Sequence, residues 1–411
     1  MAWIDDRSVR CRGALLVSYE YIKTLAELED FLEELQGSSR IVFDTEFISE
    51  SRYVPELCLV QIATDDALAL IDTVAIEDVS SLWKFIATVD SEIVMHAGRG
   101  DLEFCLRSCG LMPRRLFDTQ VAAAMVGPDY PAGFRTLVSR YLDITASKGE
   151  TRTDWRKRPL TKNQVQYALD DVRHLLPMQD RLMRSLRKRN RLGWFREEMD
   201  NWAATLEDAF FAERWSRVTG VASLSRRSQA IVREVWRWRD GLAGDRNCPP
   251  KRILRDDLIV ELAKRGSSDM QQITAIRGLD RGDLRRRLPE LSDAIQVALE
   301  IPREECPHIE KNSFPPQFTV LGQFMYAALN SLCRQRHVAA SLVGTQSDVR
   351  DLIAMHTGDL PEDATPRLLE GWRAEVVGKT FEDLLSGKTS ICVGDPKSDH
   401  PLILSQNGSG K

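Results

Sequence analysis

Two acids inside an apolar run are the first place in this chain where residue type and spacing could do chemistry. Ile41 to Phe47 reads Ile-Val-Phe-Asp-Thr-Glu-Phe, a strand pattern from which carboxylates are ordinarily depleted. Alternation along a strand puts Asp44 and Glu46 on one face and Phe43, Thr45 and Phe47 on the other. The two carboxylates therefore meet at one spot. Like charges that close raise each other's pKa unless something positive lies between them, and a hard divalent cation is the usual neutraliser. The other reading of the same pair is a polar edge strand with two solvated acids.

Further acids recur at positions that could join them. His96-Ala97-Gly98-Arg99-Gly100-Asp101 links a short predicted strand, Ile93 to Met95, to a predicted helix from Asp101 to Ser108, and its two glycines let the backbone turn there. Taken alone, Asp101 reads as a helix N-cap, His96 as a satisfied strand-end histidine, and Asp118 in Phe-Asp-Thr-Gln as another cap. A helix capped by Thr161 carries Tyr167 and Asp171 four residues apart, hence on one face. Asp170 is turned away from Asp171 by about 100°, and Pro177 is expected to kink or restart that helix.

The elements that must position these residues follow from periodicity. Leu25 to Leu35 has helical spacing; Leu57 to Thr64 and Ala67 to Ile71 read as strands joined tightly at Asp65-Asp66; Val79 to Val89 is helical again. Strands followed by alternating α and β predict an α/β mixed sheet flanked by helices. Beyond Trp194 the pattern is all helical, interrupted by linker-like stretches at Val218 to Ser225 and at 301–316, the latter with four prolines. The end, Ser405 to Lys411, reads as a frayed polar tail.

At 411 residues the chain has room for two or three domains. Its 43% hydrophobic and 28% charged residues are the balance of a soluble globular protein. No apolar run approaches the roughly 20 residues of a membrane span, and Met1 to Arg12 lacks the apolar core of a signal peptide, so a cytoplasmic location without a membrane partner is expected. The eight cysteines show no paired CxxC spacing and read as reduced, buried thiols. Net charge is -5, yet basic residues cluster locally. Arg181, Arg184, Arg187, Lys188, Arg189 and Arg191 form one acid-free run, Arg152 to Arg158 is basic despite Asp154, and residues 226–300 carry a surplus of four positive charges, with Trp236 and Trp238 among Arg233, Arg237 and Arg239. Such runs are nucleic-acid footprints or solvated helix faces.

In their order along the chain, Asp44, Glu46, Asp101, Tyr167 and Asp171 resemble the motifs of the ribonuclease D family. This is the tyrosine-containing (DEDDy) branch of the DEDD superfamily of 3'-5' exonucleases. The first motif is Phe43-Asp44-Thr45-Glu46-Phe47, the second His96-Ala97-Gly98 through Asp101-Leu102-Glu103, and the third Tyr167-x-x-x-Asp171. Arg152-Thr153-Asp154-Trp155 with Arg158-Pro159-Leu160 resembles the run that precedes the third motif. The helical unit that follows resembles an HRDC domain, and Leu369-Glu370-Gly371-Trp372-Arg373 looks like part of a degenerate second copy. The implied division is an exonuclease domain at 1–217, HRDC at 218–300, a second HRDC-like unit at 301–390 and a tail at 391–411.

The resemblance implies a ribonuclease H-like fold and two divalent metal ions, Mg²⁺ or Mn²⁺. By the family pattern Asp44 bridges the ions, Glu46 and Asp171 complete the one that activates water, and Asp101 serves the second, partly through water. Tyr167 orients the attacking water; a phenol with an ordinary pKa of about 10 is a poor base. His96, Arg152, Arg184 and Arg187 become candidate nucleic-acid contacts, since phosphate neutralisation supplies most sequence-independent affinity. The implied activity is trimming of RNA 3' ends, with tRNA precursors as the substrate class. A 3'-5' DNA exonuclease is the alternative, because the same carboxylates serve both sugars and only 2'-hydroxyl contacts separate them. A non-catalytic nucleic-acid-binding scaffold would predict a lost carboxylate, and none is lost.

Overall fold

The computed structural model describes residues 18–145, 149–150, 153–279, 282–309, 314–361 and 363–407. Its N-terminal α/β part starts with strand β1 (Glu20–Ile22), helix α1 (Leu25–Glu34), and strands β2 (Arg40–Ile48), β3 (Glu56–Ala63) and β4 (Leu68–Ile71). Then α2 (Ser80–Thr88), β5 (Glu92–Met95), α3 (Arg99–Cys109), β6 (Leu116–Asp118), α4 (Thr119–Val126), α5 (Phe134–Leu142), α6 (Lys162–Arg173), α7 (Leu175–Lys188) and α8 (Leu192–Phe211) follow. The six strands form one mixed sheet in the order β1-β4-β3-β2-β5-β6.

Ile41, Val42 and Phe43 of β2 are all buried, as expected of a central strand covered on both faces. Parallel pairing of β2 with β5 (Ile41 opposite Ile93) and of β5 with β6 (Met95 opposite Asp118) brings the carboxyl ends of β5 and β6 beside the middle of β2. His96 and Asp118 fall at those ends, and Asp44 and Glu46 in the part of β2 that runs on past its pairing with β5, where open α/β sheets place their ligands. The tight turn at Asp65-Asp66 joins β3 to β4 as an antiparallel pair. The long helix expected from Thr161 restarts at His174, three residues before Pro177, which sits in the first turn of α7.

All-helical chain follows: α9 (Arg226–Asp245), α10 (Pro250–Ile253), α11 (Asp256–Arg265), α12 (Met270–Thr274), α13 (Gly282–Arg285) and α14 (Leu288–Glu300). After these come α15 (Pro316–Arg336), α16 (Ala340–Val343), α17 (Gln346–Thr357), α18 (Gly371–Arg373) and α19 (Lys379–Leu385), then strands β7 (Thr389–Val393) and β8 (Leu402–Gln406). The chain forms two compact units: residues up to 46, 58–210 and 314 onward make the first, and 47–57 with 211–313 the second. No helix of the described residues is long and apolar enough to cross a membrane.

In the first unit the C-terminal helices are built onto the α/β domain. Ala339 N donates to the Ala124 carbonyl at 2.8 Å, and the Arg191 guanidinium donates to the carbonyls of Met125 and His337 at 2.5 and 2.8 Å. Arg191 is thus buried in a structural role, unlike the exposed arginines of its run. The Trp372 indole N–H donates to Glu198 at 2.9 Å, and Arg373 pairs with the same carboxylate at 2.8 Å. Gly371, at a φ of +44°, approaches Glu197 so closely that any Cβ there would overlap its carboxylate. The expected tail beginning at 391 is instead largely a hairpin: β7 and β8 pair from Thr389–Gln406 to Val393–Leu402. Residues 408–411 lie outside the described residues.

The second unit has its own core, including Ile231, Val235, Ile259, Leu262, Leu291 and Ile295, with Trp236 and Trp238 packed partly buried against it. The three arginines beside these tryptophans are paired within the unit. Arg233 pairs with Glu234, Arg237 with Glu213 and Glu234, and buried Arg239 with Asp256 at 2.6 Å. Of the described cysteines, all free, five are buried, whereas Cys109 is half-buried and Cys392 is exposed, against the expectation of uniformly buried thiols.

Candidate active site

Each site residue is held by a local feature of its element. Asp44 and Glu46 come from the exit of β2, and Asp171 from α6, whose start is fixed by a capping box between Thr161 and Gln164. One carboxylate oxygen each from Asp44, Glu46 and Asp171 fall within 4.8 Å of one another. Asp101 is differently placed. It is the third residue of α3, whose N-cap is Gly98, so the cap expected at Asp101 is not its role; its buried carboxylate accepts from the Thr45 hydroxyl. Thr45 lies on the opposite face of β2 from Asp44 and Glu46, and Asp101 therefore meets the strand beside the three-acid cluster rather than inside it.

The turn before α3 explains that placement. Asp118 caps α4, accepting from the N–H groups of Gln120 and Val121 at 2.7 and 3.3 Å, and its other oxygen accepts from Gly98 N at 3.0 Å. One buried acid thus clamps both helix starts. Ala97, not a glycine, takes the left-handed conformation here, at a φ of 54°. Gly98 is needed for close approach instead: an added Cβ would lie inside the Met95 side chain, 2.9 Å from its Cβ.

Electrostatics mark the cluster as a place for positive charge. Burial, followed by repulsion from Asp101, Asp171 and Glu46, holds the Asp44 carboxyl well above its ordinary value. Glu46 is pushed up to about 9 by burial and then by Asp171 and Asp101. Burial takes Asp171 to about 7 against the opposing hydrogen bond from Tyr167, and Asp101 to about 6 against the bond from Thr45. These are acids facing acids, the arrangement a divalent cation relieves. Neighbouring Asp170 is satisfied separately, by Arg173 and by Gln166 at 2.9 Å.

The cluster opens into a cleft of about 450 Å³ whose lining includes Asp44, His96, Phe134, Arg135, Tyr167 and Asp171, within the usual size range of ligand pockets. Tyr167 packs against fully buried Trp155, ring centroids 6.1 Å apart. Arg158, three residues on, donates bidentately to Asp72 at 2.6 Å and to the Cys58 carbonyl at 2.8 Å. The run before the third motif thus buttresses the tyrosine, a role not read from sequence, although an invading Trp beside a Pro-terminated basic stretch was its visible sign. His96 Nδ1 lies 2.9 Å from the Thr119 hydroxyl, which donates its one proton to the Met95 carbonyl. Nδ1 must then be the protonated nitrogen, leaving Nε2 as an acceptor. Burial lowers the His96 pKa, which keeps the ring neutral near pH 7. Arg184 and Arg187 sit on α7 outside this cleft, and Arg152 lies outside the described residues.

A mixed sheet whose strand ends gather four acids and a tyrosine beside a nucleotide-sized cleft defines a 3'-5' exonuclease, and the comparisons with known proteins agree. The family model described as 3'-5' exonuclease matches residues 19–187, and that of the HRDC domain matches 228–295. Ribonuclease D of Zymomonas mobilis is 33% identical, covering 92% of this chain and 97% of that protein; Ribonuclease D of Escherichia coli is 27% identical over 90% and 99%. The crystal structure of Escherichia coli RNase D, an exoribonuclease involved in structured RNA processing, superposes with a TM-score of 0.77 at 26% identity, covering 90% of this chain and 99% of that one. The chain belongs to the ribonuclease D family, and it is a hydrolytic 3'-5' exoribonuclease.

Proposed function

We propose that Asp44, Glu46, Asp171 and Asp101 hold two divalent cations, Mg²⁺ or Mn²⁺, with Asp44 shared between them, and that the natural substrates are tRNA precursors and other structured RNA 3' ends. The observation that carries this reading is the convergence of three carboxylates within 4.8 Å, all pushed above their ordinary pKa. Bound there, the cations supply an acidified water and charge relief at the leaving 3'-oxygen. The chain's own groups do the rest. Tyr167, braced by Trp155 and already hydrogen-bonded to Asp171, orients the attacking water. Neutral His96 offers Nε2 to a substrate hydroxyl, and Arg152, Arg184 and Arg187 contact backbone phosphates. Helices from 316 to 385 serve as a second, degenerate HRDC-like unit after the HRDC domain.

The test is to incubate 3'-labelled and 5'-labelled RNA and DNA with Mg²⁺ or Mn²⁺ and follow the product ladders. Mononucleotides released from the 3' end of RNA, lost on chelation and restored by either ion, are the expected result. Hydrolysis that survives chelation would overturn the metal assignment.

A further inference from the structure

We infer that a second cleft, between α5 and α7, binds the phosphate backbone of the RNA strand a few nucleotides upstream of the 3' end; the direction of that strand rests on the exonuclease activity. Both helices start at the catalytic cleft, where Phe134, Arg135 and Thr136 of α5 and Leu175 of α7 form part of its wall. Farther along the same helices, Arg140, Tyr141, Arg181, Arg184, Ser185 and Lys188 line a separate cleft of about 310 Å³. Four cations thus converge from two helices on one concavity, with an aromatic ring between them.

The acids nearby offset only one of these charges: Asp129 pairs with Arg140 at 2.5 Å, whereas Asp180 is taken by Arg40 at 2.6 Å. Arg181, Arg184 and Lys188 are exposed and have no carboxylate partner within 4 Å among the described residues. Arg140 and Arg189 both act on the Tyr141 hydroxyl, against the burial that raises its pKa. The basic run of α7 therefore divides by role. Arg191 is buried on backbone carbonyls, Arg187 lines a cleft of mixed sign with Glu92 and Asp180, Arg181 and Lys188 line the basic cleft, and Arg184 stands between the two and lines both. A merely solvated helix face would not gather cations from a second helix around a half-buried tyrosine, whereas cationic grooves with stacking rings are how proteins track single strands.

Spacing sets the register. Leu175 and Arg184 are nine residues apart on α7, about 14 Å at the helical rise of ~1.5 Å per residue. At the ~3.4 Å per nucleotide of a stacked strand, that distance is about four nucleotides, and fewer if the strand is extended. A dinucleotide in the active site cannot reach the cleft; a hexamer can.

The test uses the full chain in chelator, so that nothing is hydrolysed, and 5'-fluorescent oligoadenylates of about two to eight nucleotides, titrated by anisotropy at several salt concentrations. The triple variant R181A/R184A/K188A is compared with the parent, its fold checked by circular dichroism; Ala favours these exposed helix positions. The affinity ratio between parent and variant should be near one for the dinucleotide and grow to about tenfold by the hexamer, with the salt slope lowered by about two for three lost contacts to a single strand. An identical length profile and slope in the two proteins would overturn the proposal. Should the parent bind with the expected profile yet release no nucleotides when Mg²⁺ is restored, the active-site reading fails while the cleft stands.

Discussion

A buried acid and a half-buried cluster of three acids are treated in opposite ways in this molecule. Glu198, 6% exposed, accepts from the Trp372 indole and pairs with Arg373, itself 4% exposed. Asp44, Glu46 and Asp171 crowd together with no lysine or arginine among their paired partners in the described residues, and every one of them is pushed up in pKa. A buried charge is tolerable when paired and costly when not. The fold therefore satisfies its acid where the task is to join the C-terminal helices to the catalytic domain, and leaves its acids in conflict at the site proposed above to receive cations.

The contrast can be broken from either side. The largest effect is expected from Asp44→Asn, which removes the central carboxylate: turnover on RNA should fall below a few per cent under saturating Mg²⁺, while the chelated protein melts no lower than the parent because a repulsion has been relieved. Residual activity above that level, measured on a labelled oligonucleotide, would contradict a shared role for Asp44. Glu198→Ala should do the reverse, destabilising by about 3–5 kcal/mol because Arg373 is left buried and unpaired; urea denaturation followed by tryptophan fluorescence reads this directly. A loss well under 1 kcal/mol would show that solvent reaches the site and that the pair is not needed.

A smaller effect sharpens the roles within the cluster. On the proposed roles, Tyr167→Phe should reduce turnover by about 10²-fold, as expected of an orienting group, and clearly less than Asp171→Ala, which removes a proposed ligand. Equal losses in two folded variants would mean that the tyrosine does more than position water.

Much of this site was legible in the sequence because it depends on local rules. Acids alternating in a strand, a Tyr and an Asp one helical turn apart, the Thr161 cap, the Asp118 cap and the break near Pro177 all follow from backbone periodicity and hydrogen-bond donors. What stayed hidden depends on long-range packing. The bond from Thr45 to Asp101 joins residues 56 apart, and Asp101 taken alone reads as a helix cap because the Gly98 turn that starts the helix earlier is held by Asp118, which no local pattern shows. The short strands β1 and β6 have three residues each, too few for a periodic signal. Trp372 and Arg373 were recognisable as a motif, but their partner Glu198 lies some 175 residues earlier, so the joining of the last helices to the catalytic domain could not be read. In the middle unit, charge composition suggested nucleic-acid contacts around Trp236 and Trp238, whereas Arg233, Arg237 and Arg239 prove to be paired within the unit; a net count is blind to pairing.

The most direct test of the central claim, that the acid cluster is a cation site, is thermal unfolding with chelator or with Mg²⁺ at about pH 6 and pH 8. Glu46, Asp171 and Asp101 have folded pKa values of about 9, 7 and 6, against about 4 when unfolded. Between those limits the folded state holds more protons than the unfolded one, so the contribution of these groups is fully present below about pH 4 and is lost as pH rises through the folded values. The chelated protein should therefore melt lower at pH 8 than at pH 6. A divalent cation takes the place of those protons, and the gain in melting temperature on adding Mg²⁺ should be larger at pH 8 and mostly absent in Asp44→Asn. An equal Mg²⁺-induced shift in the parent and in Asp44→Asn at both pH values would contradict the account.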